Sequence, residues 1–194
     1  MIKFFFTLTL IFAANVGLAD NKEKATHLET ATFAAGCFWG SEEFFRKIPG
    51  VYESRVGFTG GTTPNPKYDE TNDGHTGHAE SVEIKFDPKK VSYEFLLDQF
   101  FKMHDPTNKD RQGNDTGNQY RSAIFYHGEK QKQEALNFKK KVESSGAWKG
   151  NITTEISEAK TFWPAEEYHQ NYLVKNPGGY DNHFLRKISF DKKK

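Results

Sequence analysis

Only one cysteine, Cys37, occurs among the 194 residues, so no disulfide can form within the chain. That excludes the bridged framework on which small exported domains commonly depend. Charge of one sign is equally scarce. The formal net charge is +1, without the basic field that nucleic acid demands, and no nucleic-acid partner is expected. Beyond residue 14 no apolar run approaches the ~20 residues of a membrane-spanning helix, so stable membrane insertion is not expected either. What the chain does have is aromatic bulk: 18 Phe, 8 Tyr and 3 Trp. Those rings are material for a packed interior, and the length suits one domain.

The first residues stand apart. Lys3 supplies a positive charge, Phe4 to Ala14 is apolar but too short to span a bilayer, and Gly17-Leu18-Ala19 puts small residues ahead of Asp20. This pattern reads as a secretory signal peptide over 1–19, and the expected location is periplasmic or secreted. Asp20, not cysteine, follows the cut, which disfavours a lipoprotein anchor. Residues 20–28 read as a flexible segment, 29–190 as a single folded domain and 191–194 as a charged tail. An exported chain with a lone thiol keeps it either as inert core or as a reactive group, and its neighbours must decide.

Along the domain, Glu29 to Ala35 alternates as a strand, and Gly36 turns the chain into a helix from Cys37 to Ile48 that Pro49-Gly50 stops. Val51 to Phe58 is a second strand, and Gly60 to Gly77 a long loop. Glu80 to Phe86 alternates again. Ser92 caps a helix through Met103, whose Tyr93, Leu96, Leu97, Phe100 and Phe101 form one apolar stripe. After a second long polar loop, Arg121 to His127 is a strand and Glu129 to Ser145 a helix ending at Gly146. Ile152, Thr154 and Ile156 predict a last strand, and Ala165 to Val174 a short helix. The order predicts an α+β fold, a ferredoxin-like two-layer α/β sandwich with a split βαβ core, long functional loops and a C-terminal extension.

Three segments could carry chemistry. In Gly36-Cys37-Phe38-Trp39-Gly40 the thiol sits at a strand-to-helix junction, where unpaired N–H groups and the helix dipole favour a thiolate. Such a setting brings a thiol from about 8.5 to roughly 3.5–7.5. The segment alone is equally compatible with a buried structural cysteine. In Gly74-His75-Thr76-Gly77-His78-Ala79-Glu80, the carboxyl of Glu80 opens a strand beside a glycine-rich loop, where desolvation favours its protonated form and suits a general acid. The i, i+3 spacing of His75 and His78 could suit a metal, but no third ligand is evident, and no metal site is expected. Tyr68 offers a phenolic donor from the same loop. In Gly113 to Ser122, glycines alternate with hydrogen-bonding side chains, among them Asp115 and Tyr120.

The collinear set GCFWG, NPKY, TGHAE, HDPT, GNDTGNQYRSAIFY and WPAEEYHQNYL–KNPGGY, running from Thr32 to Tyr180, resembles the A-type peptide methionine sulfoxide reductases. The resemblance implies reduction of methionine-S-sulfoxide, free or in proteins, and so repair of oxidised proteins. It implies Cys37 as nucleophile and Glu80 as the acid that protonates the sulfoxide oxygen. Phe38 and Trp39 then receive the substrate methyl group, and Tyr68, Asp115 and Tyr120 bind that oxygen or its water. The reaction leaves methionine and a sulfenic acid on Cys37. Many relatives reduce that acid with further cysteines toward the C terminus, and Lys187 to Lys194 holds none. The expected reductant is therefore an external thiol: a thioredoxin-like protein, glutaredoxin or glutathione, or dithiothreitol in vitro. No bound cofactor and a monomer are expected.

Two rival readings use the same residues. A cysteine hydrolase or transferase would pair Cys37 with His78 or His169 as base. A non-catalytic exported binding module would use the motifs only as aromatic core. Asn114 and Asn151 begin glycosylation tripeptides, which chance explains.

Overall fold

The computed structural model describes residues 27–191; the expected signal peptide over 1–19 lies outside them. In chain order the elements are β1 (Glu29–Ala35), α1 (Phe38–Phe45), β2 (Val51–Thr59), α2 (Tyr68–Asn72) and β3 (Ala79–Phe86). There follow α3 (Tyr93–Met103), β4 (Arg111–Gln112), β5 (Asp115–Thr116) and β6 (Ser122–Tyr126). The last are α4 (Glu129–Ser145), β7 (Glu155–Glu158), β8 (Trp163–Pro164) and α5 (Tyr172–Lys175). Six strands form one sheet in the order β7-β6-β1-β3-β2-β8. In its central four strands each is antiparallel to its neighbour, which is the ferredoxin-like arrangement expected. β7 adds in parallel beside β6, and β8 adds antiparallel beside β2.

Alternation explains the layers. Ala31, Phe33 and Ala35 point to the helical side, where Phe33 stacks on Phe45 at 4.8 Å and on Phe100 at 5.4 Å. The apolar stripe of α3 is fully buried there. Its first turn is capped as expected, Ser92 Oγ accepting from Phe95 N–H at 3.1 Å. α4 closes the layer with Ala135, Phe138 and Val142, and ends at Gly146 with φ +66°, a left-handed position that glycine takes without strain.

Three expected elements differ. α1 ends at Phe45 rather than Ile48, because Ile48 precedes Pro49 and proline disfavours a helical residue before it; Ile48 N–H instead turns back to Phe45 O at 3.0 Å. The long loop contains α2, whose start is tied by Lys67 N–H donating to Glu70 Oε2 at 2.8 Å. The helix expected from Ala165 is helical only at Tyr172–Lys175. Before it, the Gln170 side chain bonds both Val56 N–H and Val56 O at 2.9 Å, extending the sheet edge beside β2. Asn171, at φ +52°, donates its N–H to the buried Glu42 carboxylate at 2.7 Å. Long-range contacts have overridden local helix preference.

Candidate active site

Antiparallel pairing gathers the chemistry at one end of the sheet. β1 runs out at Ala35 opposite Ser122, the first residue of β6. The start of β3 lies against the end of β2, with Glu80 opposite Phe58. Cys37, two residues past β1, therefore lands among the openings of β3 and β6. Gly36, at φ +94°, makes the turn, and a Cβ there would come within 2.6 Å of the Gln112 side chain. Gly40 is needed for a different reason: a Cβ would overlap the Asp181 carboxylate and the His183 ring.

Cys37 is the residue that precedes the first turn of α1 and is only 7% exposed. Here the sequence expectation needs correction. Burial, with the nearby charges of Glu80 and Asp115, pushes its thiol well above the ordinary range, against the lowering effect of the Trp39 and Gly40 N–H groups. Desolvation opposes the helix start, and the net direction favours the thiol over the thiolate.

The carboxyl of Glu80 is shifted in the direction that desolvation predicts. It is 2% exposed, and burial followed by the Asp115 charge lifts its carboxyl to about 8, against a hydrogen bond that favours the ionised form. That bond is donated by Phe38 N–H to Oε2 at 3.0 Å, and it ties the acid to the residue next to the thiol. At neutral pH Glu80 carries a proton.

The other predicted residues assemble around this pair. Tyr68 opens α2; burial and the Glu80 charge push its phenol up to about 12, so it remains a donor. Tyr120 is shifted in the same direction by the same two causes, and its hydroxyl donates to Asn72 Oδ1 at 3.2 Å. Asp115 acts electrostatically on Cys37, Glu80 and both phenols. Phe38 packs into a cluster with Val56, Phe58 and Ala165. The Trp39 indole stacks on Tyr172 at 3.8 Å and donates to His169 Nδ1 at 2.9 Å. All seven residues meet at one place.

The two histidines of the rival readings face elsewhere. His78 Nδ1 accepts from Gly61 N–H at 3.0 Å, while Nε2 donates to Thr63 O at 2.8 Å. Both nitrogens are thus occupied in clamping the loop, which disposes of the His75–His78 metal pair and of His78 as a base. His169 is turned to Trp39. Among the described residues no three His, Cys, Asp or Glu side chains cluster as metal ligands.

Sequence reasoning missed the supports supplied by the C-terminal segment. Tyr180 O–H donates to Asp115 Oδ1 at 3.0 Å and Asn182 Nδ2 to Oδ2 at 2.9 Å. His183 Nε2 donates to Ala35 O at 2.6 Å, just before the thiol turn. The motif KNPGGY marked this stretch, but its side chains carry no periodic signal that would assign them to a site.

A buried thiol beside a buried carboxyl raised to about 8, with phenolic donors and aromatic walls, and with His78 and His169 engaged elsewhere, suits a thiol oxidoreductase better than a hydrolase. A family model described as peptide methionine sulfoxide reductase matches residues 29–194. The chain belongs to this family, in its A type. The peptide methionine sulfoxide reductase MsrA of Methanoculleus marisnigri is 55% identical over 152 residues, covering 78% of this chain and 93% of that one. The methionine sulfoxide reductase A structure of Corynebacterium diphtheriae superposes with TM-score 0.72 at 43% identity, covering 84% of this chain and 81% of that one. Reduced Mxr1 of Saccharomyces cerevisiae gives 0.77 at 38% identity, with 82% and 93% covered. A further structure holds Mxr1 in complex with Trx2, at TM-score 0.56 and 27% identity, with 82% and 91% covered. The chain is thus a peptide-methionine (S)-S-oxide reductase, which returns methionine sulfoxide to methionine and repairs oxidised protein.

Proposed function

We propose that Cys37 is the attacking sulfur and Glu80 the acid of this reaction. The observation that carries the assignment is the buried Glu80 carboxyl, held by the N–H of Phe38 and raised by its burial to about 8. Sulfoxide sulfur is a poor electrophile until its oxygen takes a proton. Glu80 supplies that proton, with Tyr68 and Tyr120 donating to the oxygen and Asp115 orienting the polar side of the pocket. Phe38 and Trp39 receive the methyl group, so that fixed places for methyl, oxygen and thiol select one epimer by shape.

The balance is a two-electron exchange. As oxygen is protonated and Cys37 loses its proton, a bond forms between the two sulfurs. Carrying the protons of Glu80 and Cys37, the oxygen leaves as water; a second water then adds at Cys37, releases the thioether and returns a proton to Glu80. In sum, thiol and sulfoxide become sulfenic acid and methionine. The resting thiol fits this order, because its proton is given up only once substrate fills the pocket.

Recycling falls to an external thiol, since Cys37 has no second cysteine in the sequence to attack it. A dithiol protein of thioredoxin type is the reductant that the Mxr1–Trx2 complex supports, acting through a mixed disulfide with Cys37. The N-terminal pattern Lys3, Phe4–Ala14 and Gly17-Leu18-Ala19 supports export to the periplasm or beyond, with a monomer as the working unit. Reduced enzyme mixed with excess sulfoxide peptide and no thiol is expected to form one equivalent of methionine and stop. Dimedone should then label Cys37. More than one equivalent, or no adduct on Cys37 after turnover, would overturn this cycle.

A further inference from the structure

Behind Phe38 and Trp39 lies a buried histidine, with Glu166 half-buried on the same turn, that the mechanism above does not use. His169 is 1% exposed and enclosed by Tyr168, Tyr68 and Phe38, with ring centroids at 4.1, 4.4 and 5.1 Å. An indole N–H can only donate, so the Trp39–His169 bond makes Nδ1 the acceptor and leaves the proton of the neutral ring on Nε2. Burial favours that neutral form.

Glu166 stands on the same turn, its carbonyl accepting His169 N–H at 2.9 Å. Its Oε1 accepts Tyr68 N–H at 3.3 Å. One short turn therefore grips two walls of the pocket at once, Trp39 through a ring nitrogen and Tyr68 through its backbone.

The indole needs this grip. Trp39 is half-buried, and its close partner is the stacked ring of Tyr172. Stacking fixes the plane of a ring but tolerates sliding and rotation within that plane. A hydrogen bond is directional and removes that freedom.

We infer that His169, braced by Glu166, is a positioning residue for substrate: through the Trp39 Nε1–H to Nδ1 bond it sets the in-plane orientation of the indole that receives the sulfoxide methyl group. This rests on the reading of Trp39 as a pocket wall. His169 touches no reacting atom. Its loss affects capture of substrate and leaves the chemical step alone.

The test compares three replacements of His169 on the full chain, with an S-sulfoxide peptide as substrate and dithiothreitol as reductant. His169→Leu removes the acceptor. His169→Asn places an amide oxygen near the Nδ1 position, whereas His169→Gln places one near Nε2. Leu and Gln are expected to raise KM roughly ten-fold with kcat within about two-fold, the scale of a misfitted methyl contact. Asn is expected to restore KM. The Trp39 indole N–H resonance, identified by its loss in Trp39→Phe, should move in the Leu and Gln variants and stay near its place in Asn. Should the Leu variant fail to fold, the Asn and Gln pair carries the comparison alone.

Equal impairment by Asn and Gln, or a Gln variant with unchanged KM and an unmoved resonance, overturns the inference. Trp39→Phe separates the two levels. If it leaves KM unchanged, Trp39 is no pocket wall and the underlying reading falls. If it raises KM while His169→Gln does not, the positioning role alone falls.

Discussion

Cys37→Ser is expected to remove sulfoxide reduction below detection while leaving the protein folded. Serine replaces sulfur with oxygen at nearly constant shape, in a position that is buried and makes no disulfide. The hydroxyl is a far weaker nucleophile at neutral pH. It also cannot be carried to the sulfenic level that the reaction leaves on Cys37, since that state is a rung of sulfur chemistry. Methionine release from an S-sulfoxide peptide under single-turnover conditions measures the loss. Circular dichroism establishes that the fold survives. A Ser variant that still forms methionine would move the nucleophile elsewhere, and the sequence offers no other thiol.

Glu80→Gln is expected to slow the chemical step by about 10²–10⁴-fold, the usual contribution of general acid catalysis. Glutamine keeps the volume and its oxygen can still accept Phe38 N–H, so binding should change little. The pH profile gives a second readout with a definite sign. The acid works in its protonated form, and burial has raised the carboxyl to about 8. Activity that depends on it is therefore present below that value and falls as pH rises through about 8. In the Gln variant this alkaline limb should disappear. A Gln variant with near-normal single-turnover rates, or one that retains the limb, would assign the proton to another group.

The parts of the fold with strong periodicity were legible. The stripe on α3, the cap at Ser92 and the stop at Gly146 each rest on local chemistry that the sequence displays directly. The segment around Gln170 was not, because its conformation is set by a side chain reaching 114 positions back to Val56. The site divides in the same way. Cys37, Glu80 and their aromatic neighbours lie at strand ends, where short motifs announce them. Tyr180 and Asn182 both bond Asp115, from a stretch without regular structure. For the thiol, burial works against the lowering that its position before a helix implies. A helix start is visible in sequence, whereas the depth of burial that outweighs it emerges only when β1, β3 and the C-terminal segment close together.

That closure gives the enzyme an uneven durability. The thiol and the acid adjoin buried stretches of β1 and β3, yet the carboxylate that acts on both is held by residues 180 and 182. Residues 176–186 cross the surface irregularly, with Phe184 and Leu185 exposed. Segments of this kind open locally at a free energy well below that of the whole domain. The catalytic centre accordingly inherits the durability of its covering strap and not that of its foundation. Mild heat or denaturant is therefore expected to reach the reaction first, while the domain beneath remains folded and ready to be covered again.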